Sequence, residues 1–338
     1  MRRTTWLWVF GALLVGCGAS DASSPSAGES VAAHWIPFRH LHGVVDLSGP
    51  RQDGRFTVSA AGRLFLFRPG HAPSPFARGP GGYRAAAGDE PYIAVSVGGR
   101  VAAARCSFRA DEVYILALGS RPGVVVVNRR GQARRFANLP AGVGPRGIAF
   151  DTVGRFDRRL LVIGARGDQT EVFALDCRGH VQTLTRTAPR MEGGIVVAPP
   201  SFGHYGGQLI APDETSGHVV AIDPQGAAQT IALSGLPTGS DVGLESAGFV
   251  PPGFTRAGAA YLADRGAPGS PHPGTDSILI LRGSALARAG VVPGDLLVAS
   301  EAGARTIALH CETTCAVRHI ADGPRVTHAE GHIAFKRR

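Results

Sequence analysis

One long sequence pattern recurs several times along the chain. Two copies are GGQLIAPDETSGHVVAIDPQGAAQTIALS, which starts at Gly206, and GDLLVASEAGARTIALHCETTCAVRHIADG, which starts at Gly294. Further copies start at Glu112 and Arg159, and a fainter one starts at Gly54. Each copy reads as three short strands, because β-branched and apolar runs alternate with Gly and Asp-Pro turn signals. A fourth strand precedes most copies, as in GIAF at 147 and GIVV at 194.

Four-stranded units that recur every 40–55 residues or so are typical of a β-propeller. One four-stranded sheet cannot bury both of its faces, whereas sheets packed face to face around an axis bury each other. The sequence therefore predicts an all-β propeller with four-stranded antiparallel blades. Six blades fit best if the long stretch between Glu245 and Glu330 spans two of them, and five or seven stay open. The strand GHIAF at 331 is expected to help close the ring with N-terminal strands.

The N-terminus predicts export. Residues 1–16 combine a basic start, MRR, with an apolar run of signal-peptide length, and the sequence LVGC ends at Cys17. This resembles the bacterial lipobox, in which the Cys is lipidated, although an ordinary signal peptide is the alternative. Residues 17–33 then read as a disordered tether rich in Ser and Gly, and 34–338 as a single propeller domain. We expect the mature chain to be a monomer anchored to the membrane by its N-terminal lipid, in the cell envelope outside the cytoplasmic membrane.

Four further cysteines are expected to form disulfides in that oxidising environment. Cys311 and Cys315 flank the short turn CETTC, so this pair is sterically easy, which leaves Cys106 to pair with Cys177. Free buried thiols are the alternative. The net charge of +9 could suggest nucleic-acid binding, but the Arg residues are scattered along the sequence and not interleaved with aromatics. We therefore expect no nucleic-acid partner.

Alignment of the units on their first strand places polar residues at one register. Just before that strand the units carry Glu90, Glu192, Glu245 and Glu330, with Arg146 and His42 at the equivalent points of two others. Because innermost strands line the channel of a propeller, these side chains should form a ring at one mouth. The second strands run back to the same face and end in further polar residues, namely Asp168, Asp213, Glu214, Asp264 and Glu301.

Converging carboxylates repel one another and need protons, basic partners or a cation. Hard oxygen ligands suit Ca²⁺ or another divalent cation, so the four Glu of the ring are the candidate metal ligands. The alternative is that each acid caps a local turn. His42, His328 and His332 lie near the two ends of the chain, which ring closure would bring together. They are candidate general bases or metal ligands, or else solvated residues at the closure.

The repeated unit, best seen in SFGHYGGQLIAPDETSGHVVAIDPQG, resembles those of a six-bladed propeller superfamily. Its members include the senescence-marker/gluconolactonase-like, NHL-repeat and virginiamycin B lyase-like proteins and the soluble sugar dehydrogenases. In the lactonase-like members a cation at the channel mouth polarises a carbonyl, and an inner-strand Glu is among its ligands. That resemblance implies a similar role for the ring of Glu residues here. The chain departs from it by lacking the Asn ligands, since its only two Asn, Asn128 and Asn138, fall on outer strands.

Three functions follow from these patterns. The first is a metal-dependent hydrolase or lyase that opens a lactone or ester, or lyses a small molecule, with a histidine as general base. The second is a non-catalytic propeller that binds a small ligand or an envelope protein. The third, a quinone-dependent sugar oxidase, would need a basic cofactor pocket that the sequence does not suggest.

Overall fold

The structure, a computed structural model, describes residues 33–86, 88–89 and 91–337, and these form mainly β-strands. The first two strands are β1 (Ala33–His34) and β2 (Ile36–His40). Four separate antiparallel sheets of four strands follow, here called blades 1 to 4. Blade 1 contains β3 (Val44–Ser48), β4 (Phe56–Ala60), β5 (Arg63–Phe67) and β6 (Ser74–Phe76). Blade 2 contains β7 (Ile93–Val95), β10 (Val113–Ala117), β11 (Gly123–Val127) and β12 (Ala133–Asn138), and a hairpin of β8 (Gly99–Val101) and β9 (Cys106–Phe108) follows β7.

The next two blades have the same order from the inside outwards. Blade 3 contains β13 (Gly144–Phe150), β14 (Leu160–Arg166), β15 (Gln169–Leu175) and β16 (Val181–Ala188). Blade 4 contains β17 (Val196–Val197), β18 (Leu209–Pro212), β19 (His218–Ile222) and β20 (Ala228–Leu233), with a 3-10 turn at Gly203–Tyr205. Each inner strand pairs with the second strand of its own blade.

The rest of the chain forms one sheet of nine strands that contains two more four-stranded units. Blade 5 is β21 (Leu244–Phe249), β24 (Leu296–Ser300), β25 (Thr306–Cys311) and β26 (Cys315–Asp322), and β1 adds to its edge. Blade 6 is β27 (Ala329–Lys336), β22 (Ala259–Asp264), β23 (Ser277–Arg282) and the N-terminal β2. The short helix α1 (Gly283–Arg288) connects β23 to β24. A parallel bridge between Ala247 and His332 joins the two inner strands.

Blades 5 and 6 are therefore interleaved along the chain. After the inner strand β21, the chain crosses to blade 6 for β22 and β23 before it returns to finish blade 5. The repeat pattern at 259–264 suggests a second strand of the same blade as β21, but β22 pairs with β27 instead. The long interval between Glu245 and Glu330 does span the fifth and sixth units.

Six hydrophobic clusters hold the ring together, one at each contact between neighbouring blades. The alternation of side chains along a strand explains how one blade serves two clusters. In β23, Ile278 and Ile280 pack towards blade 1, whereas Leu279 and Leu281 pack towards blade 5. The sixth contact closes the ring, because β27 lies against β3. The propeller fold and the role of the N-terminal strands in closure are confirmed.

Both disulfides are present as predicted. Cys106 of the β8–β9 hairpin bonds to Cys177, which follows β15, and this bond links blades 2 and 3. Cys311 bonds to Cys315 across a tight hairpin. Cys17 lies outside the described residues. No helix in the described residues is both long and apolar enough to span a membrane.

The two disulfides should differ in their contribution to stability. Cys106 and Cys177 are 71 residues apart, whereas Cys311 and Cys315 are 4 apart. Because a longer loop loses more entropy on closure, we expect replacing both Cys106 and Cys177 by Ser to lower the free energy of unfolding by about 4 kcal/mol. The same change at Cys311 and Cys315 should cost about 2 kcal/mol. Urea denaturation of the two double variants tests this order, and an equal or reversed cost would contradict it.

Candidate functional site

The inner strands deliver acidic side chains to one mouth of the channel. Four side chains near the start of inner strands line a cavity of about 430 Å³, namely those of Arg146, Glu192, Glu245 and Glu330. Backbone hydrogen bonds hold these entry points in register around the ring. The Gly193 amide donates to the Arg146 carbonyl at 3.1 Å, and the Gly194 amide donates to the Glu245 carbonyl at 2.8 Å. The predicted alignment of the units therefore does bring these residues together.

The second strands complete the mouth. Glu214 follows β18, Glu301 follows β24 and Arg265 follows β22, and all three line the cavity. Four of its carboxylates are on side chains less than a tenth exposed, namely those of Glu214, Glu245, Glu301 and Glu330. The mouth is thus acidic, although the whole chain is basic.

Tyr92 links two of these carboxylates. Its hydroxyl lies within hydrogen-bond distance of Glu245 Oε1 and Glu330 Oε2. The hydroxyl has one proton and can donate to only one acceptor, so the second hydrogen bond needs a proton on a carboxyl group. Burial, together with the charge of Glu330, raises the pKa of Glu245 well above its usual value. We therefore place that proton on Glu245, which donates to Tyr92, and Tyr92 donates to Glu330.

His328 continues the chain of contacts from Glu330 to Glu301. Its Nε2 atom lies 2.6 Å from Glu301 Oε1 and 3.5 Å from Glu330 Oε1, while Nδ1 lies 3.1 Å from the His272 carbonyl oxygen. Burial lowers the pKa of His328, but the two carboxylates outweigh it and raise the pKa to about 9. Both ring nitrogens face acceptors, which suits the protonated imidazole. Arg265 adds a second cation, with Nε 3.4 Å from Glu330 Oε1. Its Nη2 lies 2.8 Å from His328 Nε2, and because a guanidinium can only donate, this contact is a hydrogen bond only when the imidazole is neutral.

Glu214 ends this network. Burial and the neighbouring Glu301 raise the pKa of Glu214 to about 7, and its Oε1 atom accepts the Asp241 amide at 2.6 Å. Glu192, which precedes the inner strand of the same blade, pairs with Arg146 and approaches Arg190 at 4.0 Å. The charge of Glu192 is therefore already balanced by two guanidinium groups, whereas the carboxylates from Glu245 to Glu214 are balanced by protons and by Arg265.

The proton on Glu214 gives a testable dependence of the free energy of unfolding on pH. The folded chain keeps this proton up to about pH 7, whereas a model carboxyl loses it near 4.5. The folded state then binds more protons between these values, so the free energy of unfolding should fall as the pH rises through this window. We expect the fall to be smaller by about 1–2 kcal/mol in Glu214→Gln. This is less than the full shift in the pKa of Glu214 implies, because the cavity is open to solvent. In this variant, the fall in the free energy of unfolding that His328 causes between pH 6.5 and 9 should remain.

Urea denaturation at a series of pH values, with chelator present, measures this change. Asp213→Asn is the matched control, because Asp213 lies next to Glu214 but caps a turn. Equal pH slopes in the wild type and in Glu214→Gln would contradict the assignment.

Three second-strand predictions lie outside the cavity. Asp168 is exposed in the turn between β14 and β15, three residues beyond the register of Glu214. Asp213 accepts hydrogen bonds from the Thr215 amide and the Ser216 hydroxyl, and thus caps a turn as the alternative interpretation expected. Asp264 is fully buried and accepts the His328 amide at 2.8 Å, so it positions His328 without lining the mouth.

The inner-strand position nearest the N-terminus is also not part of the mouth. His42 is exposed and pairs with Asp276 at 2.7 Å, and it does not line the mouth cavity. Glu90 lies outside the described residues. The structure thus separates His42 from the other two candidate bases.

His332 lies deeper in the channel. Its Nδ1 atom is 3.0 Å from both carboxylate oxygens of Asp46, which is fully buried. Asp46 also accepts the amides of Ile93 and His332, at 2.7 and 2.8 Å, and so ties the inner strands of blades 1, 2 and 6 together. This close approach requires a glycine at 331, where a Cβ atom would lie 2.3 Å from Asp46 Oδ1.

Several residues of the site were not predicted from the sequence. Arg265 could have been found, because the segments APDE, LADR and VASE align Arg265 with Glu214 and Glu301. In each segment the third residue, which is Asp213, Asp264 or Ser300, points into the blade, and the fourth residue faces the channel. Tyr92, Asp46 and Arg190 carry no repeat signal of that kind.

The donor groups of the mouth fit a divalent cation. Glu301, His328 and Glu330 each offer one ligand atom, and these atoms lie within 4.8 Å of one another. Three groups of the network, Glu214, Glu245 and His328, have raised pKa values and thus hold protons that a bound cation would displace. The imidazole favours a metal such as Zn²⁺ over Ca²⁺, which prefers oxygen ligands alone.

Fold and site together define a β-propeller with an acidic channel mouth. No family model and no curated protein matches the chain. Among solved structures it is similar to virginiamycin B lyase from Staphylococcus aureus, at 10% identity and a TM-score of 0.44, over 88% of this chain and 97% of that one. It is also similar to a gluconolactonase from Xanthomonas campestris, at 15% identity and a TM-score of 0.41, over 69% of each chain. The third is the calcium-binding protein regucalcin from Agrobacterium tumefaciens, at 11% identity and a TM-score of 0.45, over 87% and 79%.

These three structures include the gluconolactonase-like and virginiamycin B lyase-like propellers that the repeated unit resembles. At such identities the likeness concerns the fold alone. Any activity of this chain has to be argued from its own mouth cavity.

Proposed function

We propose that the mouth cavity binds a divalent cation and hydrolyses a lactone or a small ester. The observation that carries this proposal is the buried group of Glu301, His328 and Glu330, whose two glutamates line a cavity of about 430 Å³. That volume suits a small molecule. The chemistry of the group is typical of cation sites, because it combines two carboxylates with an imidazole nitrogen.

Glu301, His328 and Glu330 would hold the cation. When bound, it would polarise the carbonyl of the substrate and lower the pKa of a water molecule. Glu214 has a pKa of about 7 and is the carboxylate best matched to remove a proton from that water at neutral pH.

The remaining groups suit the later part of the reaction. Once the oxygen of water has bonded to the carbonyl carbon, the bond to the alcohol oxygen breaks, and that oxygen needs a proton. Glu245 holds one at the carboxyl group beside Tyr92. Arg146 and Arg190 also line the cavity and are placed to bind the product carboxylate.

Export and lipid anchoring at Cys17 belong to the same proposal. The two disulfides support an oxidising compartment, since such bonds are rare in the cytosol. Metabolic labelling with a radioactive fatty acid tests the anchor. Loss of the label in Cys17→Ser is expected, and a wild-type chain without label would refute lipidation.

Cation titration of the purified full-length chain tests the site. We expect stoichiometric binding of Zn²⁺ or Mn²⁺ that releases protons to a pH dye in weakly buffered solution, because the network must give up protons to bind it. Ca²⁺ should bind more weakly. A screen of lactones and aryl esters, with each cation and with chelator, then tests hydrolysis.

Each result of these measurements has a defined meaning. Binding with proton release but without turnover of any ester or lactone would favour the non-catalytic, ligand-binding propeller. Absence of binding by all three cations would reject the metal site and the mechanism together.

A further inference from the structure

A second cavity opens at the other end of the channel from the acidic mouth. Its volume is about 650 Å³, which makes it larger than the mouth cavity. All six inner strands contribute apolar side chains to its wall, because the strands leave the ring at this end. One representative from each blade is Leu47, Val95, Phe150, Val197, Phe249 and Phe335.

His332 separates this cavity from the mouth. Its imidazole lines the apolar cavity, while Nδ1 bonds to Asp46. The backbones of Ile148 and Ile195, on the far side of the channel, contact the same ring. Glu330, two residues earlier in β27, faces the acidic mouth. The two cavities therefore present different chemistry to two different ligands.

The rim of the apolar cavity is basic. Arg337 lines it directly, and Arg158 donates from Nη1 to the carbonyl of the lining residue Thr152 at 3.3 Å. Both guanidinium groups belong to exposed side chains. The nearest acids, Asp151 and Asp157, accept backbone amides, including those of Phe156 and Ala102. These carboxylates keep their charge while they hold turns together, but within the described residues neither forms an ion pair with the guanidinium group of Arg158 or Arg337, so both guanidinium groups stay available at the rim.

We infer that this cavity binds a single-chain anionic amphiphile, such as a long-chain fatty acid. The apolar wall would enclose the hydrocarbon tail, and Arg158 and Arg337 would bind the carboxylate at the rim. An apolar pocket of this size with a few convergent polar groups is the usual form of a small-molecule site. The inference does not depend on the chemistry of the mouth.

Fluorescence titration with cis-parinaric acid, below its micelle concentration, tests the inference on the purified full-length chain. We expect saturable one-to-one binding. The uncharged methyl ester of the same acid should bind at least about tenfold more weakly, because it cannot pair with the guanidinium groups.

Three variants locate the bound probe. Val196→Trp, on the wall of the cavity, should weaken binding of both the acid and the ester by filling the space. Replacement of Arg158 and Arg337 by Gln should weaken binding of the acid to the level of the ester. The control replaces Arg121 and Arg325 by Gln, which removes the same charge from exposed positions at the other end of the ring and should change nothing. If Val196→Trp misfolds, the two arginine pairs still decide the question.

Several outcomes would overturn the inference. One is a lack of saturable binding, including binding that is seen only above the micelle concentration. Equal affinity for the acid and the ester would show that the ligand need not be anionic. An equal loss of affinity in the two double arginine variants would show the same. Loss of probe binding in Glu330→Gln would indicate that the probe binds in the mouth cavity instead. Binding that appears only after removal of residues 1–32 would show that this segment occupies the cavity instead.

Discussion

Asp46→Ala is expected to lower the free energy of unfolding by about 3–5 kcal/mol, the largest loss from any single substitution described above. Asp46 is fully buried and accepts hydrogen bonds from two backbone amides and from the His332 ring. Alanine would leave all three donors without an acceptor in the middle of the channel. Burial lowers the pKa of His332 and Asp46 more than offsets this, so the imidazole would also lose its counter-charge.

Two other variants separate the causes. Asp46→Asn keeps an acceptor and should cost less than alanine, since only the charge is lost. Asp223→Ala is the matched control: Asp223 also accepts two backbone amides, from Gln225 and Ala227, but near the surface, where water can replace it. We expect about 1 kcal/mol there. A similar cost for Asp46→Ala and Asp223→Ala in urea denaturation would show that the buried network contributes little.

Glu330→Gln is expected to have the largest effect at the mouth, with a fall of at least about 100-fold in kcat/KM for the lactone or ester found by the screen. Glu330 contacts Tyr92, His328 and Arg265, so it is shared by the proton network and the proposed cation site. Glutamine preserves the shape of the side chain but removes the charge. The affinity for the cation should fall together with activity, as isothermal calorimetry can measure.

Glu112→Gln provides the control for that change. Glu112 is also buried and also accepts a tyrosine hydroxyl, from Tyr114 at 3.1 Å, but it lies outside the cavity. Its kcat/KM should stay within about twofold of the wild type. If Glu330→Gln retains full activity and full cation affinity, the mouth is not the reacting site.

The repeated pattern was sufficient to predict the blades because strand, turn and alternation signals are local. The pairing of β22 with β27 was not predictable in that way. A strand at 259–264 looks the same whether its partner is the inner strand before it or the one at the C-terminus, and only packing in three dimensions decides between them. The same holds for Asp46, whose partners come from blades 2 and 6.

At the mouth, the register of inner strands predicted well which residues meet. Glu192, Glu245 and Glu330 share an entry position, and hydrogen bonds between neighbouring strands preserve it. Second-strand ends were harder to assign, because neighbouring side chains point in opposite directions. A shift of one residue separates the turn cap Asp213 from the cavity residue Glu214, and Asp168 lies three residues too far along.

The interleaving of the last two blades has a consequence during synthesis on the ribosome. Blade 6 needs β2 near residue 40, β22 and β23 from residues 259–282 and β27 from residues 329–336. A nascent chain can complete the first four blades early, but it must hold β22 and β23 without their inner strand until translation reaches residue 336. A chain whose synthesis stops before β27 would therefore keep an open sheet edge, which is prone to aggregation and proteolysis.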